Sequence, residues 1–230
     1  MELLVGKAQV NKPVSLRFSA SQRPKNLPVD KLQIEHEKFI HVIGVRDDLS
    51  EFFHLHPQRV GPGIWEVTHT FAKAGNYKLW ADVKFRGTSY SFGQPMLAIP
   101  GEISSPAVRE ETQNSVMCSG YRVSFERSRP LRVAETNQFQ FFIADASGKP
   151  VELDNFLGAP IHLVIVHEDL STFLHAHPEV RHPGDSRIRF NQSLPKSGSY
   201  KFFAQFRPRA ANLQPDQAIL AEFRIQVPSP

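Results

Sequence analysis

Short runs rich in β-branched and aromatic residues alternate along this chain with Pro, Gly, Asn or Asp, which recur at intervals of roughly 8–12 residues. In the first half the runs are Val14–Phe18, Lys31–Glu35, Ile40–Val45, Glu51–His56, Trp65–Phe71, Tyr77–Val83 and Met96–Ile99. None carries the 3.6-residue period of an amphipathic helix, so each is predicted to be a strand. About seven short strands per half, separated by turn residues, predict an antiparallel sandwich of the Greek-key kind.

The halves repeat one another. Residues 40–57 read IHVIGVRDDLSEFFHLHP and residues 161–178 read IHLVIVHEDLSTFLHAHP. His41 matches His162, Asp48-Leu49-Ser50 matches Asp169-Leu170-Ser171, and Phe52 matches Phe173. His54, His56 and Pro57 match His175, His177 and Pro178. Ala74–Ala81 then aligns with Ser197–Ala204, Leu97-Ala98 with Leu220-Ala221, and VSLRFSA with FQFFIAD. A unit stated twice is one structural module duplicated. The polar segment PGEISSPAVREETQNS has no counterpart and reads as a connection. The expected organisation is a first domain at 1–103, a linker at 104–115 and a second domain at 116–230. The fold class is all-β: two tandem antiparallel β-sandwich domains, immunoglobulin-like or cupredoxin-like.

Composition narrows the chemistry. The 230 residues are 40% apolar and 22% charged, as in folded chains, and suffice for two domains with their own cores. Eighteen Phe against two Trp and four Tyr suggest sheet cores built on large apolar side chains. The net charge of +4 is modest, and Arg127, Arg129 and Arg132, or Arg207 and Arg209, read as solvated surface. No groove-reading motif or aromatic-basic interleaving is present, so nucleic acid is not an expected partner. With Cys118 alone, an intrachain disulfide and a multi-thiolate zinc site are both excluded. That thiol is expected to be half-buried and inert.

The repeated histidines carry the candidate chemistry. If Asp47–Ser50 connects a hairpin, Arg46 pairs with Glu51, Ile43 opposes His54, and His41 opposes His56. Side chains alternate along a strand, so His54 and His56 share a face with His41. In the second copy His167 pairs with Thr172, which sets His162 opposite His177 with His175 diagonal. Three imidazoles so placed can converge on an ion with bonds of about 2.0–2.1 Å. His36 is a further candidate ligand, though its parity requires a bulge near Glu37–Phe39, and Leu157 stands at its counterpart. His69, His167 and His182 have no repeat-matched partners and read as surface or incidental residues. Asp48 and Asp169 are expected to cap turn amides. Phe52 and Phe173 are expected to wall the site.

A site of histidines without thiolate suits Cu(II), favoured by the affinity order, or Zn(II). Three histidines with an open position also activate water in zinc enzymes, so a zinc or copper enzyme is one alternative. Against catalysis, Glu51 and Glu168 lie at the hairpin turn away from the histidines, and no nucleophile elbow, Walker loop or HExxH occurs. Another alternative is a structural or interaction module whose His pairs are internal hydrogen-bond links.

Both copies fit H-[VL]-x(2)-V-x(2)-D-L-S-x-F-x-H-x-H-P, which resembles a motif of uncharacterised bacterial exported proteins built as tandem β-sandwiches. Some of these accompany copper- or heavy-metal-handling systems. The resemblance covers both modules; it departs at Leu157, in place of the upstream His36. It implies a copper-binding, non-enzymatic protein of sequestration or delivery, with a metal-transport or envelope protein as a possible partner. Exported relatives imply a periplasmic or secreted location. No basic-then-apolar leader opens the chain, so a removed leader and a cytoplasmic location are the two alternatives. No apolar run reaches the roughly 18 residues of a membrane-spanning helix.

Overall fold

The computed structural model describes residues 1–103, 114–127, 129–179 and 186–229. It divides into two units, Met1–Ala107 and Val108–Pro230. The expected linker falls for the most part in 104–113, outside the described residues, as does His182.

The first unit consists of β1 (Glu2–Val5), β2 (Pro13–Ser19), β3 (Ser21–Gln22), β4 (Leu27–Pro28), β5 (Ile40–Arg46), β6 (Phe52–Leu55), β7 (Gln58–Gly61), β8 (Ile64–Thr70), β9 (Gly75–Phe85), β10 (Thr88–Gly93) and β11 (Leu97–Ile99). One sheet runs in the order β1-β2-β8-β7, and the other runs β10-β9-β5-β6 with β11 also on β9. Alternation in the sequence explains the layers. Leu16 and Phe18 of β2, Trp65 of β8, Ile40 and Val42 of β5 and Leu79 and Ala81 of β9 meet in one buried cluster. Such burial of aliphatic and aromatic side chains is worth about 1.5–3 kcal/mol each before conformational entropy is subtracted.

The second unit repeats the plan with β12 (Ser115–Cys118), β13 (Tyr121–Arg127), β14 (Thr136–Ala144), β15 (Leu153–Asp154), β16 (Ile161–His167), β17 (Phe173–Ala176), β18 (Arg187–Ser193), β19 (Gly198–Pro208) and β20 (Ile219–Val227). Its sheets run β12-β13-β14-β18 and β15-β19-β16-β17, with β20 on β19. The core is phenylalanine-rich. The Phe125 ring packs at 5.4–5.9 Å from the rings of Phe139, Phe141, Phe202 and Phe223. The only helix among the described residues is a 3-10 turn at Arg209–Ala211. Among those residues no helix is long and apolar enough to cross a membrane.

Each sandwich has a tyrosine near the start of its central late strand. The Tyr77 hydroxyl bonds the Lys73 carbonyl at 2.9 Å, and the Tyr200 hydroxyl bonds the Lys196 carbonyl at 3.1 Å. A tyrosine tied to the main chain a few residues upstream is a hallmark of the immunoglobulin-type sandwich. The fold class is therefore all-β, two tandem immunoglobulin-like sandwiches, as the patterning predicts.

Three local expectations change. Lys31–Glu35 is not a strand; it makes only isolated bridges, Gln33 with Lys84 and Glu35 with Lys38. The strand Glu2–Val5 at the chain start and the segments Gln58–Gly61 and Thr88–Gly93, which the patterning does not mark, also pair in sheets. Leu97 does not correspond to Leu220. Leu97 opposes Tyr77, whereas Ile225 opposes Tyr200 and Leu220 opposes Gln205. The last strand is continuous in the second unit and is broken in the first by Gln94-Pro95-Met96, since Pro95 has no N–H to continue a ladder.

Candidate metal centre

The hairpin register is the one the turn predicts. Ile43 opposes His54 and Val42 opposes Leu55, with the Arg46 N–H donating to the Glu51 carbonyl at 3.1 Å. In the second unit Val164 opposes His175, Leu163 opposes Ala176, and the His167 N–H donates to the Thr172 carbonyl at 3.0 Å. The ladders stop at Leu55 and Ala176, so His56 and His177 lie one residue beyond the strand ends.

The turn itself is built by repeated chemistry. Leu49 and Leu170 each adopt φ 60, and the Asp before each caps the Ser after it: Asp48 Oδ1 accepts from the Ser50 N–H at 3.0 Å, Asp169 Oδ1 from the Ser171 N–H at 2.8 Å. A buried nitrogen-rich side chain then fastens the turn to the loop before the next long strand. In the first unit it is Arg46, which donates to the Ala74 carbonyl at 2.8 Å and pairs with Asp48. In the second it is His167, whose Nε2 lies 3.0 Å from the Ser197 carbonyl and whose Nδ1 lies 2.7 Å from Asp169 Oδ1. His167 is thus a buried turn anchor, not a surface residue. The glycines beneath these anchors are obligatory. Gly75 has φ 135 and Gly198 φ 120, and a Cβ on either would sit 2.6 Å from the Arg46 Nε or the His167 Nε2.

In the first unit His41, 2% exposed, is the hub. Its Nε2 lies 2.8 Å from the Glu35 carbonyl oxygen and its Nδ1 lies 3.0 Å from His54 Nε2. A carbonyl only accepts, so Nε2 of His41 carries a proton. In the neutral ring Nδ1 is then the lone-pair nitrogen, turned toward His54. The His56 ring completes the group, with centroids 5.1 Å from His41 and 4.7 Å from His54. His36 joins at the margin, its ring 5.9 Å from that of His41. The parity problem is solved by a tight turn in place of a bulge: Glu35 and Lys38 exchange backbone bonds while His36 and Glu37 take φ 47 and 67.

In the second unit His162, 1% exposed, is the hub, and its Nε2 meets Nε2 of His175. The ring centroids of His162 and His175 are 4.2 Å apart, and that of His177 lies 5.1 Å from His175 and 6.3 Å from His162. The equivalent of the His36 turn is Phe156–Ala159, with Leu157 and Gly158 at φ 54 and 82. Leu157 is buried and offers no donor atom. In each unit, then, two imidazoles meet nitrogen to nitrogen and the third lies alongside.

Sequence reasoning missed one neighbour. In the β5–β9 ladder His41 stands directly opposite Asp82, and in the β16–β19 ladder His162 stands opposite Gln205. Directly opposed side chains have Cβ atoms about 4.5–5.5 Å apart on one face. The signal was present in the Ala81/Ala204 alignment, one residue further along. Glu51 and Glu168 stay at the turn, where the first accepts from the Tyr77 hydroxyl and the second from the Ser199 N–H at 3.1 Å.

Phe52 and Phe173 are half-buried, and the Phe173 ring lies 6.5 Å from that of His175, beside the histidines. The residues that turn into the core are their neighbours Phe53 and Leu174. His69 is not a surface residue: its ring packs 4.1 Å from Phe53 and 4.7 Å from Phe71, and burial pushes it down to about 4. Cys118 is half-buried and its thiol is pushed up to about 11 by burial, which leaves it inert near neutral pH.

A paired sandwich with a histidine cluster on the same hairpin of each half defines a duplicated immunoglobulin-like module protein. The chain belongs to the family described as Domain of unknown function (DUF8832), whose model matches residues 1–93 and 114–228, one segment on each half. No curated protein matches it. Among solved structures it is similar to the Escherichia coli adhesin FdeC, at 13% identity over 99% of this chain and 64% of that one, with TM-score 0.32. Invasin, a bacterial integrin-binding protein, is 10% identical over 99% and 39%, with TM-score 0.30. A chimeric titin Z1Z2 tandem is 13% identical over 100% and 97%, with TM-score 0.23. The chain thus spans less than two thirds of the length of the first two. The sandwich assignment rests on strand order and register, not on these likenesses.

Proposed function

We propose that this protein is a non-enzymatic metal-binding protein whose two immunoglobulin-like modules each hold a divalent transition-metal ion, Cu(II) in preference to Zn(II), on the repeated histidine face. The observation that carries the reading is the 3.0 Å approach of His41 Nδ1 to His54 Nε2, with His41 Nε2 held by the Glu35 carbonyl. Metal-ligating histidines usually donate their second ring N–H to a carbonyl or carboxylate, which fixes the tautomer and aims the lone pair. Two nitrogens 3.0 Å apart, each about 2.0–2.1 Å from an ion, subtend about 90–97° at it. That is the angle between neighbouring ligands in a tetragonal site and is tighter than a tetrahedral one, which supports copper over zinc. On binding, the proton between the two rings moves to the other nitrogen of His54.

The role would be sequestration or delivery in the bacterial envelope. That placement rests on the resemblance of the DLSxFxHxHP motif, and a metal-transport or envelope protein is the partner it suggests. The test is copper and zinc analysis of the purified full chain, followed by Cu(II) titration of the wild type and of His54→Ala and His175→Ala. Two ions per chain with one lost in each variant supports the reading. Absence of stoichiometric metal, with unchanged stability on adding it, overturns it.

A second reading has its own observation. Both nitrogens of His41 already find partners within the first unit, the Glu35 carbonyl and His54. The same pairs therefore suit an interaction module in which imidazoles tie a hairpin together, with a net gain of about 0.5–1.5 kcal/mol per bond. Wild-type protein that gives no metal response, together with a His54→Ala variant that loses about 0.5–1.5 kcal/mol of stability, supports this alternative.

A further inference from the structure

We propose, resting on the metal-binding reading above, that the two sites are not equivalent: Asp82 places a carboxylate beside the first, and the second, with Gln205 in that place, binds a divalent ion more weakly. The repeat isolates the difference. His41 and His162 occupy matching places on β5 and β16, and the two hairpins share one register. The strand on the other side is where they diverge. Asp82 of β9 opposes His41, and Gln205 of β19 opposes His162. Ala81 and Ala204, the preceding residues, oppose Val42 and Leu163, so the ladders are in step and the substitution is a true exchange at one position.

A carboxylate beside a divalent ion supplies an oxygen donor and cancels one unit of charge in a half-buried setting. An amide oxygen donates but leaves the charge uncompensated. The second difference acts in the same direction. The Glu35–Lys38 turn brings the His36 ring to 5.9 Å from His41, whereas the Phe156–Ala159 turn puts Leu157 there. The first unit therefore sets His36, His56 and Asp82 around the His41–His54 pair. The second offers His162, His175 and His177 with a neutral amide. A strong site and a weaker, more exchangeable one on the same chain suit a protein that holds one ion and passes on another.

The experiment uses the full chain, titrated calorimetrically with Cu(II) and separately with Zn(II) against a competing chelator of known affinity. The wild type is expected to fill in two steps. The tight step disappears in His41→Ala/His54→Ala and the weak one in His162→Ala/His175→Ala. Asp82→Asn is expected to weaken the tight step roughly 10–100-fold, the range typical for loss of a group that orients or supports a ligand. Gln205→Asp is expected to strengthen the weak step, and this gain guards against misreading a folding defect in the Asp82 variant. Two steps of equal affinity, or an Asp82→Asn titration that overlays the wild type, overturn the inequivalence while leaving metal binding intact. No heat and no chelator competition in any form overturns the metal reading itself.

Discussion

Gly44 lies directly across the β5–β6 ladder from Phe53, and the Phe53 ring covers the place where a side chain on Gly44 would be. The second unit solves the same position differently, with Ile165 opposite Leu174. One module pairs a residue with no side chain with a large ring; the other pairs two residues of middle size.

Gly44→Ala should therefore overpack the first core. The expected loss is about 1–3 kcal/mol, read as a lower urea midpoint. Gly44→Ile/Phe53→Leu, which copies the second unit, should recover much of the loss seen in Gly44→Ile alone. A double variant no better than the single one would show that the two residues do not share a space.

The Asp169 turn should be acid-sensitive. Burial by itself would raise its carboxyl, but the Ser171 hydroxyl and amide, Lys196 and His167 outweigh it and hold the group well below the usual carboxylate range. A depressed folded value means the stabilisation is present above the ordinary 3.8 and drains as pH falls below it. Wild-type protein should lose stability between about pH 4 and 2 more steeply than Asp169→Asn in acid titrations followed by circular dichroism. Parallel curves would refute the role assigned to the turn.

His69 acts in the same sense, but at higher pH. Burial against Phe53 and Phe71 lowers it from 6.5 to about 4, so the unfolded chain takes up its proton first. The neutral ring's full contribution is present above about pH 6.5 and is lost progressively as pH falls toward 4. Allowing for partial solvent contact, the loss should be on the order of 1–2 kcal/mol. His69→Gln should flatten this stretch of the stability profile, measured by urea melts at pH 7, 6, 5 and 4. An unchanged slope would mean the ring is solvated in the folded state.

Metal affinity should fall in acid. Ligating imidazoles must be neutral, so Cu(II) binding is expected to weaken progressively as pH falls. Competition titrations at pH 7.5, 6.5 and 5.5 measure it directly, and an affinity that stays level across them argues for ligands other than histidine.

What the sequence determined by itself is local. Alternation within β5 and β6 and the Asp-Leu-Ser turn between them act over fewer than twenty residues, so the Ile43–His54 and Val164–His175 registers could be read before any coordinates. The duplication did the same for the fold, since a pattern stated twice must satisfy two cores. Tertiary structure decided what depends on strands distant in the chain or on backbone that only folding holds. Asp82 stands opposite His41 because β9 lies beside β5, a pairing between residues 41 positions apart. His36 comes near His41 because His36 and Glu37 adopt left-handed conformations that residue type alone does not favour. His69 and His167 look alike as isolated histidines, yet aromatic packing lowers one and a carbonyl with an aspartate fixes the other. Periodicity tells which face a side chain takes; only the closed sandwich tells what waits on that face.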